Sequence, residues 1–495
     1  MTVTIVDPRE IVLRLPERTR NIVARLSDAF HRNGAELYLV GGTVRDLLRG
    51  APQVDLDFAT SVVPEETRRI GSEAGPDAVF TIGESYGTVG FIFGADDERQ
   101  VVEVTTYRSE VYPTDDRRPV VQHGVNLQDD LSRRDFTINA MALDPRTGEL
   151  VDPFGGIAAL QAGTIAAVGD PDARFLEDPL RVLRAARFAA QLGFDIATPT
   201  LEGMRRTAPE LGRISRERIA MELNRLLTAP FPARGLVILL EGGLLVHVLP
   251  ELVPLAEDDR DGGTVRHKDI WNHTLQVVER TPPRLAVRWA ALLHDAAKPM
   301  TRTVDERGDV HFFGHELLGA DIARKVMRRL KQERALEQRV RLLVLLHLRP
   351  AGYDATWTDS AVRRLALEAG DAFDDLLDLA AADVTSARAD RRAAAAARVA
   401  GLREHYLRLQ SEAALDALQS PLDGDELMAE FGLPPGIWIK VLKGRLRELV
   451  IDGVVAPGDR ETALQLAREW MAAPDDELAT ALEHPSGRRQ AAKKE

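Results

Sequence analysis

With 495 residues the chain is too long for one hydrophobic core, so three or four domains are expected. A composition of 44% hydrophobic and 28% charged residues fits a globular protein, and no apolar run approaches the roughly 20 residues that cross a bilayer; the opening MTVTIVDPRE also lacks a signal-peptide layout, so the expected location is cytoplasmic. The formal charge is −13 and there are no cysteines, which excludes disulfides, thiolate metal sites and cysteine nucleophiles and leaves carboxylates and imidazoles as the available metal ligands.

Up to about residue 155, strand-like runs (Leu37 to Val40, Val89 to Phe93, Val101 to Thr105) alternate with short helices and Gly/Pro turns, the pattern of an α/β domain. The segment LYLVGGTVRDLLRG sets Gly41 and Gly42 between an apolar strand and an amphipathic helix, where backbone N–H groups can face an anion and Arg45 can reinforce them. The bland reading is a tight turn. In VDLDFAT, Asp55 and Asp57 are two apart in an extended segment, so both carboxylates project from one face. Exposed loop acids would look the same, but in a cysteine-free chain adjacent carboxylates suit Mg²⁺, a hard cation. QVVEVTTYR alternates like a half-buried strand and supplies Glu103 as a third acid. Three acids can hold two metals about 4 Å apart, one activating a 3′-hydroxyl and one stabilising pyrophosphate.

GGTVRD, then DLDFAT, then Glu103 resembles the head of the polymerase-β-like nucleotidyltransferases. The two motifs that follow make the chain similar to the bacterial class II tRNA CCA-adding enzymes and poly(A) polymerases, from about Leu37 through Leu227 and more weakly to the end. The resemblance implies an α+β protein with a polymerase-β-like α/β head over 20–157, a helical neck over 158–230, an HD-type helical domain over 231–400 and a helical tail over 401–495. It implies tRNA as partner, CTP and ATP as substrates, and Mg²⁺ as cofactor. Poly(A) polymerase and enzymes adding only CC or only A are the rivals. A P-loop is absent from the sequence.

LSRRDFTINAMAL resembles the family's ribose-recognising motif, which gives Arg134 to the triphosphate or sugar and Asp135 and Asn139 to the 2′-hydroxyl side; an ion pair at the sheet edge is the plain alternative. In LEDPLRVLRAARFAAQLGF, Asp178, Arg181 and Arg184 recur every three residues on one helix face, opposite Val182, Ala185, Ala186 and Ala189. An ionised Asp accepts hydrogen bonds and an Arg donates them. Cytosine and adenine each offer an amino donor beside a ring-nitrogen acceptor, whereas uracil and guanine reverse that pattern, so this pair favours CTP and ATP. Asp178 before Pro179 is also an ordinary helix N-cap. Glu177 is spaced to hold Arg181, and ISRERIAMELNRLL matches a buttressing helix with Glu217, Arg218 and Glu222 as supports.

Six of the 11 histidines fall between His267 and His347. His273, the pair His294-Asp295, His315, His347 and Asp383 resemble, in that order, an HD phosphohydrolase set, implying a second divalent metal (Mn, Ni or Mg) that activates water against a phosphoester. The expected activity is accessory, a phosphatase or 2′,3′-cyclic phosphodiesterase. SEVYPTDDRRPVVQHG looks like the flexible loop of complete CCA-adding enzymes, and GIWIKVLKGRLRELVIDG like the family's tRNA-gripping tail. Breaks are expected near 157, 230, 265 and 400, and SGRRQAAKKE reads as a basic terminus.

Overall fold

The structure, a computed structural model, describes residues 5–51, 55–82, 87–96, 99–111, 120–123, 126–257, 270–354, 356–384, 389–412 and 419–483. His267, the SGRRQAAKKE terminus and the middle of the SEVYPTDDRRPVVQHG loop lie outside the described residues.

The head is built on strands β1 (Leu37–Val40), β2 (Leu56–Thr60), β3 (Ala78–Ile82), β4 (Thr88–Phe93), β5 (Gln100–Thr106), β6 (Arg108–Val111), β7 (Val120–His123), β8 (Ala142–Leu143) and β9 (Leu150–Val151). Seven form one sheet in the order β3-β4-β5-β2-β1-β8-β9, and β6 and β7 pair separately as a hairpin. Within the large sheet β2 and β5 run parallel, while the other neighbours are antiparallel. The two-residue period sorts each strand into faces. Leu56, Phe58, Val89, Phe91, Val102 and Val104 point into the main core with Ile22, Leu26 and Phe30 of the helix Glu17–Arg32 and Ile70 of the helix Pro64–Ser72. Val40, Ala59, Tyr107, Leu131 and Ala142 make a smaller cluster on the other side. That second face carries Asp57 and Glu103.

Beyond the head the chain is mostly helical, with small strand pairs such as the hairpin of Thr303–Val304 and Val310–His311 as exceptions. One continuous core runs from Ile11 to Leu409, joining the head to the histidine-rich helices, and a separate core forms from Leu422 to Ala481. The expected break near 400 therefore needs correction. The helix Ala389–Glu412 runs straight through it, because its Ala-rich run is strongly helix-favouring, and packing changes only after that helix. The break near 157 likewise falls inside the helix Gly156–Ala162, whereas Pro230 does separate two helices. Among the described residues no helix is long and apolar enough to cross a membrane.

The helix Leu180–Leu192 is tied to the helix Arg216–Leu227 by a buried ion pair, Arg187 Nε to Glu222 Oε2 at 2.6 Å, with the Arg187 guanidinium 4.1 Å from the Phe188 ring centroid. Breaking such a pair strands a charge in the interior. Glu222→Ala is expected to cost about 3 to 5 kcal/mol and to lower the melting temperature by several degrees, with a smaller loss for Glu222→Gln, as read by a thermal unfolding scan.

Candidate active site

The glycine turn comes first. Gly41 has φ +66°, a left-handed conformation that favours glycine, and a Cβ added there would lie 2.8 Å from Arg134 Nη1. The helix Gly42–Leu48 starts at once, and its Thr43 hydroxyl donates to Asp55 O (2.6 Å) while accepting from Asp57 N–H (2.9 Å). Thr43 thus pins the turn to the acidic strand. Sequence reading passed over it because one threonine carries no spacing signal.

Asp57 on β2 stands in register with Glu103 on β5, which in turn faces Gly90 on β4. Register partners share a face. The aromatic ring of Phe80 on β3 covers Gly90, leaving no room for a side chain there. Asp55 immediately precedes β2 and is exposed. Burial, then the negative charges of Glu103 and Asp55, push the Asp57 carboxyl up to about 6, while Arg134 pulls the other way. The three acids are thus electrostatically coupled. Their oxygens do not all lie within 4.8 Å of one another; among the described residues that closeness occurs in the histidine region alone.

Arg134 donates from Nη2 to Asp130 Oδ2 (3.0 Å), and its buried Nε–H has no hydrogen-bond partner among the described residues. Asp130, 1% exposed, also binds Arg133 at 2.8 Å and so aims both arginines. The spacing of three and four residues was the available sequence signal for it.

Two of the residues expected at the nucleotide have partners within the protein. Arg45 is expected at the triphosphate, yet its guanidinium binds Asp46 from Nε (2.9 Å) and Nη2 (2.7 Å) and Asn139 Oδ1 from Nη1 (2.7 Å), with the Phe188 ring 5.2 Å away. Asp135 is expected at the ribose, yet all four of its acceptor positions are used: Oδ1 takes Phe136 N–H (2.8 Å) and Asn139 Nδ2 (3.1 Å), and Oδ2 takes Arg184 Nε (2.8 Å) and Nη2 (2.6 Å). Burial would raise its pKa, but Arg184 and Asn139 hold it at about 2. Asn139, Asp135 and Arg45, all buried, and the partly exposed Arg184 form one chain of polar contacts. It runs from the glycine-turn helix to the helix Leu180–Leu192.

At the start of that helix Arg181 is fixed by Glu177 (2.6 Å), Arg174 O (3.0 Å) and Arg133 O (3.0 Å). Asp178 accepts from Leu180 N–H (3.2 Å) and pairs with Arg218 at 3.1 Å; the helix begins at Leu180 with Pro179, not Asp178, as its N-cap. Glu217 binds Lys331 at 2.6 Å.

The histidine region gathers all six expected residues. His273, His294 and Asp383 form one close group, and Asp295, His315 and His347 form another. Asp295 joins them, with Oδ2 at 3.3 Å from His273 Nε2 and 3.2 Å from His294 Nε2, and Oδ1 at 3.6 Å from His315 Nε2. The Nδ1 atoms of His294, His315 and His347 contact the carbonyls of Ala291 (2.8 Å), Phe312 (2.6 Å) and Val344 (2.7 Å). A carbonyl can only accept, so those Nδ1 atoms carry hydrogen and Nε2 is the atom each ring turns to the cavity. Asp295 Oδ1, His315 Nε2 and His347 Nε2 are buried without a hydrogen-bond partner among the described residues, a donor set that fits a divalent cation. Burial and the neighbouring His294 push His347 down to about 4. Burial also opposes charge on His294, but Asp295 and Asp383 carry it up to about 10; the cavity demands positive charge.

The chain matches the models of the poly A polymerase head domain over residues 37–166, the probable RNA and SrmB-binding site of polymerase A over 193–255, and the HD domain over 270–388. It is 32% identical over 426 residues to a CCA-adding enzyme of Geobacillus sp. (strain WCH70), covering 86% of this chain and 91% of that one. The chain belongs to the family of CCA-adding tRNA nucleotidyltransferases. Within that family it is also 35% identical to the A-adding tRNA nucleotidyltransferase of Deinococcus radiodurans, over 87% of this chain and 95% of that one. Against the CCA-adding enzyme of Geobacillus thermodenitrificans the match is 41% but spans 53% of this chain and 60% of the relative. The solved Bacillus stearothermophilus CCA-adding enzyme in complex with CTP superposes with a TM-score of 0.69 at 26% identity, over 92% of this chain and all of that one.

The Asp57 position sets a pH dependence. Its carboxyl titrates near 6 in the metal-free head, and a proton competes with a cation for it. Mn²⁺ or Mg²⁺ affinity at the head is expected to fall about tenfold per pH unit below 6 and to level off above, by calorimetric titration; Asp57→Asn should bind weakly at every pH.

Proposed function

We propose that the chain adds C, C and A to the 3′ end of tRNA from CTP and ATP, releasing pyrophosphate, and that it does so in the cytoplasm. The observation that carries this reading is the acidic face: Asp57 in register with Glu103, its carboxyl raised by burial and by the charges of Glu103 and Asp55, and Arg134, whose buried Nε–H has no hydrogen-bond partner among the described residues. Divalent ions held there, Mg²⁺ in this reading, supply activation of the terminal 3′-hydroxyl and neutralisation of the departing pyrophosphate. Asp55, Asp57 and Glu103 are the metal ligands. The Gly41 and Gly42 backbone and Arg134 hold the triphosphate, and Arg45, Asp135 and Asn139 keep that pocket in shape. The 3′-oxygen bonds to the α-phosphorus as the bond to the β-phosphate oxygen breaks.

Base choice belongs to Asp178 and Arg181, with Arg184 anchored behind them. Arg181 is already oriented by Glu177, while Asp178 exchanges Arg218 for the amino group of cytosine or adenine. In domain terms the head ends within 157–166, the neck reaches Pro230, the histidine domain extends through the long helix to about 412, and the tail from about 420 grips the RNA body.

The A-adding relative makes A-only addition the rival worth testing. A tRNA ending at the discriminator base, given each nucleoside triphosphate separately and then together, should gain two C from CTP alone and a single A once ATP joins. Unlimited A, or A with no C, contradicts the proposal. Asp57→Ala should lower incorporation by at least about a thousandfold, judging by the size of such electrostatic contributions.

A second reading rests on its own observation, the orphaned Asp295 Oδ1, His315 Nε2 and His347 Nε2. We infer that the histidine cluster binds divalent cations (Mn, Ni or Mg) and hydrolyses a phosphoester. A bound cation there supplies an activated water. The water oxygen joins phosphorus, the phosphorus–ribose oxygen bond opens, and the leaving oxygen takes the proton. Metal analysis of protein purified in Ni²⁺ or Mn²⁺ should find ions lost on Asp295→Ala, with C and A addition kept; retention of metal in that variant contradicts the assignment.

A further inference from the structure

We propose that Phe313 and His311 form a stacking platform for the base of a nucleotide phosphoester at the mouth of the histidine cluster. This rests on the hydrolase reading of that cluster and adds to it the residues that hold the base.

The platform and the cluster are parts of one segment. His315 contacts the Phe312 carbonyl at 2.6 Å, and the Phe312 ring lies 5.6 Å from Lys298 Nζ, which donates to Asp295 at 2.7 Å. Phe313 comes next in the chain and is 76% exposed, so packing does not account for it. Its ring is stacked on His311, with centroids 5.0 Å apart and planes at 12°. His311 is itself held by Asp305 at 2.9 Å, and Asp305 is fixed by the N–H groups of Arg307 and Asp309. Met300 and Leu317, both largely exposed, come from the two helices that flank this segment. Single exposed apolar residues are ordinary; several on the segments that also supply Lys298 and His315 mark a surface that meets something.

The occupant follows from what the neighbouring cluster can do. A close group of imidazoles and carboxylates with Lys298 at Asp295 suits a phosphoester, and a flat, largely exposed ring suits a base joined to that phosphate through ribose. Aromatic stacking accepts any base and needs no hydrogen-bond code. The Asp305 anchor holds the platform in place before binding, so little ordering is required.

The test compares 2′,3′-cyclic AMP with glycerol 1,2-cyclic phosphate, which has the ester but no base, using Mn²⁺- or Ni²⁺-loaded enzyme. Phe313→Ala should lower the ratio of kcat/KM for the nucleotide over the glycerol ester about tenfold, through KM. Phe313→Trp should keep the ratio. Without added metal, the extra fluorescence of Phe313→Trp over the parent's tryptophans should be quenched by AMP and not by ribose 5-phosphate. An unchanged ratio in Phe313→Ala together with no AMP quenching overturns the platform while the hydrolase stands. If the parent enzyme cleaves neither ester, the hydrolase reading falls, and the platform with it.

Discussion

The parallel pairing of β2 with β5 is the constraint on which the head depends. It places Asp57 beside Glu103 on the sheet face away from the main core, and Thr43 binds the strand to the glycine turn so that Asp55 sits at the same end. Side by side, the carboxylates repel, and burial deepens the penalty, which is why Asp57 is raised to about 6. The fold tolerates this because the other face of the same strands is densely apolar, with Phe58, Phe91, Val102 and Val104 locked under two helices. A rigid sheet holds an unfavourable charge arrangement that a bound cation would relieve.

The second theme is the use of buried charge to transmit position. Asp135 sits between Asn139 and Arg184, Asn139 takes Arg45, and Arg187 takes Glu222. All but Arg184 are buried and each has a partner, so displacing one leaves another uncompensated in the interior. The helix after the glycine turn and the helix Leu180–Leu192 are therefore joined by Arg45, Asn139, Asp135 and Arg184.

The histidine cluster follows a different logic. There the backbone fixes the tautomers, with three imidazoles giving Nδ1 to carbonyls three residues back on or beside their helices, and Asp295 offers one oxygen to each half of the cavity. The continuous core from Ile11 to Leu409 carries both this centre and the acidic face, so the two sites share a scaffold while their ligands come from separate elements.

Much of this was legible before any coordinates. Alternation in LDFAT and QVVEVTT gives the faces of β2 and β5, so Asp57 and Glu103 could be placed on strand faces from sequence alone. The six histidine-region residues come from separate elements, and their order was readable only through its resemblance to the HD family. What the tertiary structure decided was partnership across long separations. That Arg45 turns to Asn139 and that Arg218 covers Asp178 cannot be read from a chain whose many arginines all look equally free. The helix through residue 400 was hidden for a related reason: alanine propensity fixes a helix, but where one core ends and the next begins depends on which distant side chains bury it.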